Sequence, residues 1–247
     1  MGHDADKERI TRIAGFLLEA ERPVRILRSL AWPPEVKERF LHAPKDRLPE
    51  VSYAPFDPAP TLLAVNAARA SMRPVGPIDA WLHRQANAIA RGANLLASLG
   101  TSDFLRWSTE LYGVPTETLS DHSSTSLQLA QLLVSVFANP GVTSLAQDLS
   151  PPLDADVVAE RIRHAVGRFF GAHAPQVSVV GHLSANALAS PTAIRIRQGA
   201  CFSDMQVRQL IHHEALVHVA TSSNGRAQTL LPILSAESHP VGVHASY

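Results

Sequence analysis

Two histidines five residues apart on one helix place the strongest single demand on how this chain can fold. They lie in Ile211-His212-His213-Glu214-Ala215-Leu216-Val217-His218, which reads H-E-x-x-x-H. The surrounding helix is well marked. Ser203-Asp204-Met205-Gln206 fits a capping box, S-x-x-Q, ahead of an apolar-periodic run, and Asn224-Gly225 is the expected stop. These signals predict a helix from about Asp204 to Ser223. In a regular α-helix residues four apart lie about 40° apart around the axis, and residues five apart about 140°. His213 and His218 then cannot close on one point. A π-turn, with its i→i+5 hydrogen bond, brings such residues back to one face. The choice is therefore sharp. Either the helix is distorted between His213 and His218, or it is a regular core helix. In the regular helix Val207, Ile211, Glu214 and His218 share a stripe, and one histidine is buried and hydrogen-bonded.

The residue types suit a metal if the rings converge. Neutral imidazoles are ordinary Zn²⁺ ligands, and a neighbouring carboxylate can take a proton from water activated there. Short motifs of this kind also arise without chemistry, so spacing alone leaves the metal and core readings both open.

Charge narrows the partners. Lys+Arg and Asp+Glu are 22 each, for a formal net charge of zero, which gives no electrostatic footprint for nucleic acid or an anionic membrane. Basic stretches such as Arg22 to Arg28 read as solvated helix faces. The one cysteine, Cys201, cannot form an intramolecular disulfide and reads as an inert, partly buried thiol in a reducing compartment. The charged N-terminus lacks the apolar stretch of a signal peptide, and Asp6 stands where a myristoylation signal wants Ser or Thr. No run approaches the length of a membrane span. A cytoplasmic location is expected.

The first half reads as helical. Ile10 to Ala20 and Val24 to Leu30 are apolar-periodic around Pro23, and Pro33-Pro34 open a short helix to about Leu41. Residues 49–60 read as an extended connection and Leu62 to Met72 as a helix. Pro77 to Leu99 forms a long helix ended by Gly100. Ser102 is the expected cap of the next, with Phe104, Trp107, Leu111 and Tyr112 facing the core and Gly113 stopping it. Ser120 to Ser126 is polar and loop-like, and Leu127 to Ala138 returns to helix. Val158, Ile162, Val166 and Phe169 mark one more. After Pro175 the pattern changes. Gln176 to Val180 is β-rich, and Thr192 to Arg197 alternates apolar and charged residues as a half-buried strand does. The expected fold class is α+β: mostly helical, with a small antiparallel sheet packed beside the H-E-x-x-x-H helix. The expected organisation is an N-terminal helical region, 1–75, and a second region, 76–247, that carries the motif helix.

Three stretches in order, Phe104 to Pro115, Leu183 to Arg197 and Gln209 to Gly225, resemble the QEGLA-motif family. This family is also known from its microtubule-associated tyrosine carboxypeptidase members, and its bacterial members are named flavohaemoglobin expression-modulating QEGLA motif proteins. The resemblance covers roughly residues 80–235 and is carried most specifically by Ser184-Ala185-Asn186-Ala187 followed by the H-E-x-x-x-H helix. It implies that the motif helix is zincin-like and that the region 76–247 is metallopeptidase-like, with His213 and His218 holding Zn²⁺ and Glu214 as the general base. A peptide or protein C-terminal tail would be the substrate. A terminal carboxylate needs a cation, for which Arg195, Arg197 and Arg226 are candidates, each of which also reads as a solvated arginine; Asn186 is a further candidate for substrate binding. An edge strand over Ala193 to Arg197 is expected to pair with the substrate backbone.

The sequence departs from the family at its end. The third ligand there is the glutamate of Q-E-G-L-A, and this sequence, ending at Tyr247, has no such motif. The expectation is a truncated or frame-shifted terminus and an impaired site, since a catalytic zinc normally keeps three protein ligands. Glu237 is not the equivalent residue by motif; Glu237, His239 and His244 are left only as accidental substitutes for it. The alternative is a non-catalytic regulatory or interaction protein that keeps the scaffold. A carboxylate-bridged di-iron bundle would need paired Glu-x-x-His motifs, which are absent. His164 and His173 read as surface residues, and His122 and His182 as loop residues.

Overall fold

The computed structural model describes residues 2–42, 47–74, 76–120, 123–139, 141, 151–181, 183, 185–190 and 192–236. Two compact units divide it. One contains the chain up to Gly113 together with Thr229–Ala236, and the other contains Val114–Gln228.

The first unit is helical: α1 (Gly2–Glu21), α2 (Ile26–Leu30), α3 (Pro34–His42), α4 (Ala59–Ala70), α5 (Pro77–Ala97) and α6 (Asp103–Tyr112), with a 3₁₀ turn at Pro232–Ser235. Its core forms because α1, α4 and α5 each present an apolar stripe at helical period. Ile13, Leu17, Val65, Leu82, Leu95 and Leu96 are fully buried there, each worth about 1.5–3 kcal/mol of burial. Gly92 sits where α5 meets the chain before α2: a Cβ there would come within 2.9 Å of Val24 Cγ1. Trp107 is part-buried against this core, as expected of an anchor. The expected Ser102 cap is not made, because its side chain accepts no hydrogen bond and its backbone is already helical. Gly113 does end α6, at φ 73.

The unit also holds a polar contact that no local pattern announces. Arg9 donates two hydrogen bonds to Asp79, at 2.7 and 2.9 Å, and the Arg73 N–H donates a third at 2.9 Å. Both side chains are buried. The hydrogen bonds from Arg9 hold the Asp79 carboxyl below its ordinary range, against the opposing effect of burial.

The second unit is α+β. It contains α7 (Ser126–Phe137), β1 (Leu153–Asp154), α8 (Ala155–Phe170), β2 (Gln176–Val180), β3 (Ala187–Ser190), β4 (Ala193–Arg197) and β5 (Cys201–Phe202). These are followed by α9 (Asp204–Leu210), a π-helical segment (Ile211–Val219) and α10 (Ala220–Ala227). The stripe Val158, Ile162 and Val166 of α8 packs with Ile194 and Ile196 of β4, Phe202, Val207, Ala215 and Val219 in one apolar cluster. Phe169 does not join that stripe and is 65% exposed; Phe170 packs there instead. Helix α7 opens with a capping box between Thr125 and Gln128 and buries no residue.

Sheet topology corrects one expectation. The three-stranded sheet has the order β2-β4-β3. β4 is therefore its centre and has no free edge for a substrate. Between β2 and β4 the chain inserts β3, which pairs antiparallel with β4 and occupies one of its edges. Ser190 pairs with Ala193 across a two-residue connection. The other edge of β4 is left to β2, which runs parallel to it, so this sheet is mixed. The antiparallel pair β1-β5 stands apart as a second, two-stranded sheet. Other corrections are smaller. Cys201 is exposed, not partly buried. Asn224 and Gly225 lie inside α10, with Gly225 buried, and the helix ends at Ala227.

Candidate metal centre

The helix carrying H-E-x-x-x-H starts as its sequence signals require. Ser203 accepts the Gln206 N–H at 3.2 Å, and the Gln206 side-chain oxygen accepts the Ser203 N–H at 2.8 Å. Seven α-helical residues later the winding changes, and Ile211–Val219 is a π-helix over nine residues. That change answers the spacing problem. In a π-turn residues five apart stack, and His213 and His218 meet with Nε2 to Nε2 at 3.0 Å. Their rings stand edge to face, with centroids 4.5 Å apart and planes 89° apart.

Glu214 follows His213 in sequence yet is held differently. It is buried, and its Oε2 accepts the backbone N–H of Ala189 on β3 at 2.9 Å. Its Oε1 lies 4.0 Å from His213 Nε2. One carboxylate oxygen is thus anchored to the sheet while the other faces the imidazoles. One potential ligand atom from each of His213, Glu214 and His218 lies within 4.8 Å of the others. His213 is largely exposed and His218 half-buried, so the group is open on one side.

The donor set fits a metal ion. Two nitrogens bound at about 2.0–2.1 Å in a tetrahedron stand roughly 3.3 Å apart, close to the separation found here. Glu214 Oε1, 4.0 Å from His213 Nε2, adds a carboxylate oxygen to the same group.

A cleft of about 290 Å³ adjoins the group, lined by Asn186, Phe202, Gln206, Gln209, Leu210, His213 and Glu214. Of the expected substrate-binding residues, Asn186 lines this cleft, and Arg197 reaches it through Asn186, donating from Nη2 to Asn186 Oδ1 at 2.5 Å. The Arg197 N–H also donates to the Asn186 carbonyl at 2.9 Å. Arg195 and Arg226 are exposed, and among the described residues neither is hydrogen-bonded or ion-paired to the group. His164 and His173 are exposed and stand outside it. His122, His182, His239, His244 and Glu237 lie outside the described residues.

Sequence reasoning missed two contributors. The Ala189 N–H is a backbone group with no residue signature. Gln206 was visible only as a helix cap, and its place in the cleft depends on how the sheet meets the helix.

A family model described as microtubule-associated tyrosine carboxypeptidase matches residues 38–242. No curated protein and no solved structure gives a significant match.

Proposed function

Since this chain belongs to the microtubule-associated tyrosine carboxypeptidase family, we propose that it is a zinc-dependent peptidase of carboxypeptidase type, directed at the C-terminal tail of a peptide or protein and impaired because, among the described residues, only two histidines stand with Glu214 to hold the ion. The family implies a metal-dependent, carboxypeptidase-type hydrolase acting on a peptide or protein; the metal, the residue roles and the choice of the tail are our reading. The 3.0 Å approach of His213 and His218 on a π-turn carries it.

In this reading His213 and His218 hold the ion through Nε2. When bound, zinc supplies an acidified water near neutral pH and polarises the scissile carbonyl. Glu214 takes the proton of the attacking water on Oε1 and passes it to the leaving amine. The Ala189 N–H fixes the other oxygen, so that the base is held without a change of rotamer. The outer edge of β3, not β4, is the strand edge left for a substrate backbone on that side, with its Ala189 N–H already given to Glu214. Arg197 brings positive charge to the cleft through Asn186, and Arg195 and Arg226 are left with longer-range roles.

The competing reading is a non-catalytic interaction protein that retains the scaffold. It draws on the same contact, because 3.0 Å is also a hydrogen bond between one protonated and one unprotonated ring nitrogen. Metal content separates the two. Purified protein loaded with Zn²⁺ and freed of excess is expected to retain close to one equivalent, and to shorten an unblocked peptide from its C-terminus until a chelator is added. Protein that holds no zinc under these conditions overturns the metallopeptidase reading.

A further inference from the structure

The cleft beside Glu214 has three amide side chains on its wall and no arginine or lysine. For two of these amides the hydrogen bonds fix which end is spoken for. A backbone N–H can only donate, so the Gln206 atom 2.8 Å from Ser203 N is the side-chain oxygen. A guanidinium can only donate, so the Asn186 atom facing Arg197 Nη2 is likewise the oxygen. Both acceptors are engaged, and each amide keeps its NH₂ group for whatever enters. Phe202 is buried and Leu210 half-buried on the same wall, while Asn186 and Gln206 are exposed and free to meet a ligand from solvent.

We propose that the NH₂ groups of Asn186 and Gln206 form a two-pronged donor site for the terminal carboxylate of the substrate, with Arg197 acting as a positioning residue behind Asn186. A carboxylate is an acceptor-only group with room for several donors, and hydrogen bonds to an ionised acceptor are about twice as strong as neutral ones. Arg197 orients the Asn186 amide and adds positive charge one hydrogen bond away from the anion. The capping box thus has a second use: the glutamine that satisfies the helix start also presents its donors to the ligand. This deepens the function proposed above, since it names how the chain's end would be recognised, but binding can be tested apart from hydrolysis.

The test uses a fluorescently labelled tetrapeptide, Gly-Gly-Ala-Ala, with either a free or an amidated C-terminus, titrated onto the full chain carrying Glu214→Gln to prevent turnover. The free acid is expected to bind more tightly than the amide by at least about tenfold. Gln206→Glu is the informative variant. Glutamate serves a capping box as well as glutamine does, so the helix start survives while the donor becomes an anionic oxygen. It is expected to erase the preference for the free acid and leave the amide's affinity within about twofold, with an unchanged melting temperature. Asn186→Asp is expected to act in the same direction, because its oxygen still accepts from Arg197. Arg197→Gln is expected to lower the free-acid preference by less than Gln206→Glu does, and Arg197→Lys to restore part of it. A free-acid preference that persists in Gln206→Glu overturns the proposal, as does equal binding of acid and amide by the parent. If the parent shows the preference and Gln206→Glu loses it while the chain with native Glu214 cleaves no peptide, the carboxylate site stands and the hydrolase reading falls.

Discussion

Two polar clusters in this molecule use the same kinds of charged and hydrogen-bonding groups to opposite ends. Arg9 and Asp79 are buried and fully partnered: two guanidinium donors meet two carboxylate oxygens, the Arg73 N–H adds a third bond to the carboxylate, and Arg9 also donates to Asp6 and to the Ser71 carbonyl. His213, Glu214 and His218 are drawn together on one helix but left half-open, with one external hydrogen bond among the described residues, from Ala189, anchoring the carboxylate. A cluster whose donors and acceptors cancel holds a fold. A cluster whose lone pairs converge on one point without cancelling has capacity left for an ion or a proton. The difference is one of saturation, not of residue type, and substitutions in each cluster should be read out by different instruments.

The largest effects belong to the open cluster and should appear in activity alone. His213→Ala is expected to reduce bound zinc from near one equivalent to near none, and peptide cleavage to background, by metal analysis and end-group assay. Glu214→Gln is expected to keep the metal and lower kcat by about 10²–10⁴-fold, the contribution typical of a positioned general base. Because the His213 side chain is 60% exposed, its removal is expected to shift unfolding free energy by no more than about 0.5 kcal/mol when both proteins are compared metal-free in chelator, where the stabilisation by bound zinc is absent from each. A large loss of stability in His213→Ala would break the distinction, making the pair a structural element.

The closed cluster is expected to show the reverse. Asp79→Ala leaves the buried Arg9 guanidinium with only the part-exposed Asp6 and the Ser71 carbonyl, so the loss is expected at about 2–3 kcal/mol, at or below the low end of what breaking a buried pair costs. Urea unfolding should register it, while kcat of the folded fraction stays at the parent value. Replacing both partners, as Arg9→Met with Asp79→Leu, is expected to destabilise less than Asp79→Ala alone, since no charge is left unpaired. A double replacement worse than the single one would mean that the ion pair itself outweighs its desolvation.

What could be read from the sequence follows the same division between local and long-range order. The Ser203–Gln206 capping box, the apolar stripe of α8 and the irregularity demanded between His213 and His218 all arise within a few residues of chain, and sequence spacing reports on them directly. The Arg9–Asp79 pair spans 70 residues, and nothing near either residue predicts it. The strand β3, Ala-Leu-Ala-Ser, has weak β propensity, and it forms because β4 offers it an edge. Missing β3 put β4 at the sheet's edge and hid the Ala189 N–H that holds Glu214. Gly225 failed as a stop for a related reason. It is buried within α10, where tertiary packing outweighs the roughly 1 kcal/mol that glycine costs a helix.

The smallest expected effect concerns pH and isolates Asp79. Its folded-state pKa lies below the ordinary 3.8, chiefly because of the hydrogen bonds from Arg9. The unfolded chain therefore binds this proton at a higher pH than the folded chain does. The sign follows from linkage: in that interval the unfolded state carries more protons, so stability rises with pH. The contribution is fully present above the unfolded pKa near 3.8 and is lost as pH falls through the lower folded value. Unfolding free energies measured from pH 5 down to pH 2 should decline more steeply in the parent than in Asp79→Asn, which has no proton to take up. Asparagine keeps one acceptor for Arg9 but not the charge, so the variant should be less stable at pH 7, and the two curves should converge in acid. Parallel curves would mean that the carboxyl titrates at its ordinary value in the folded chain. The pair would then be a weaker, wetter contact, and the contrast with the histidine cluster would be one of degree.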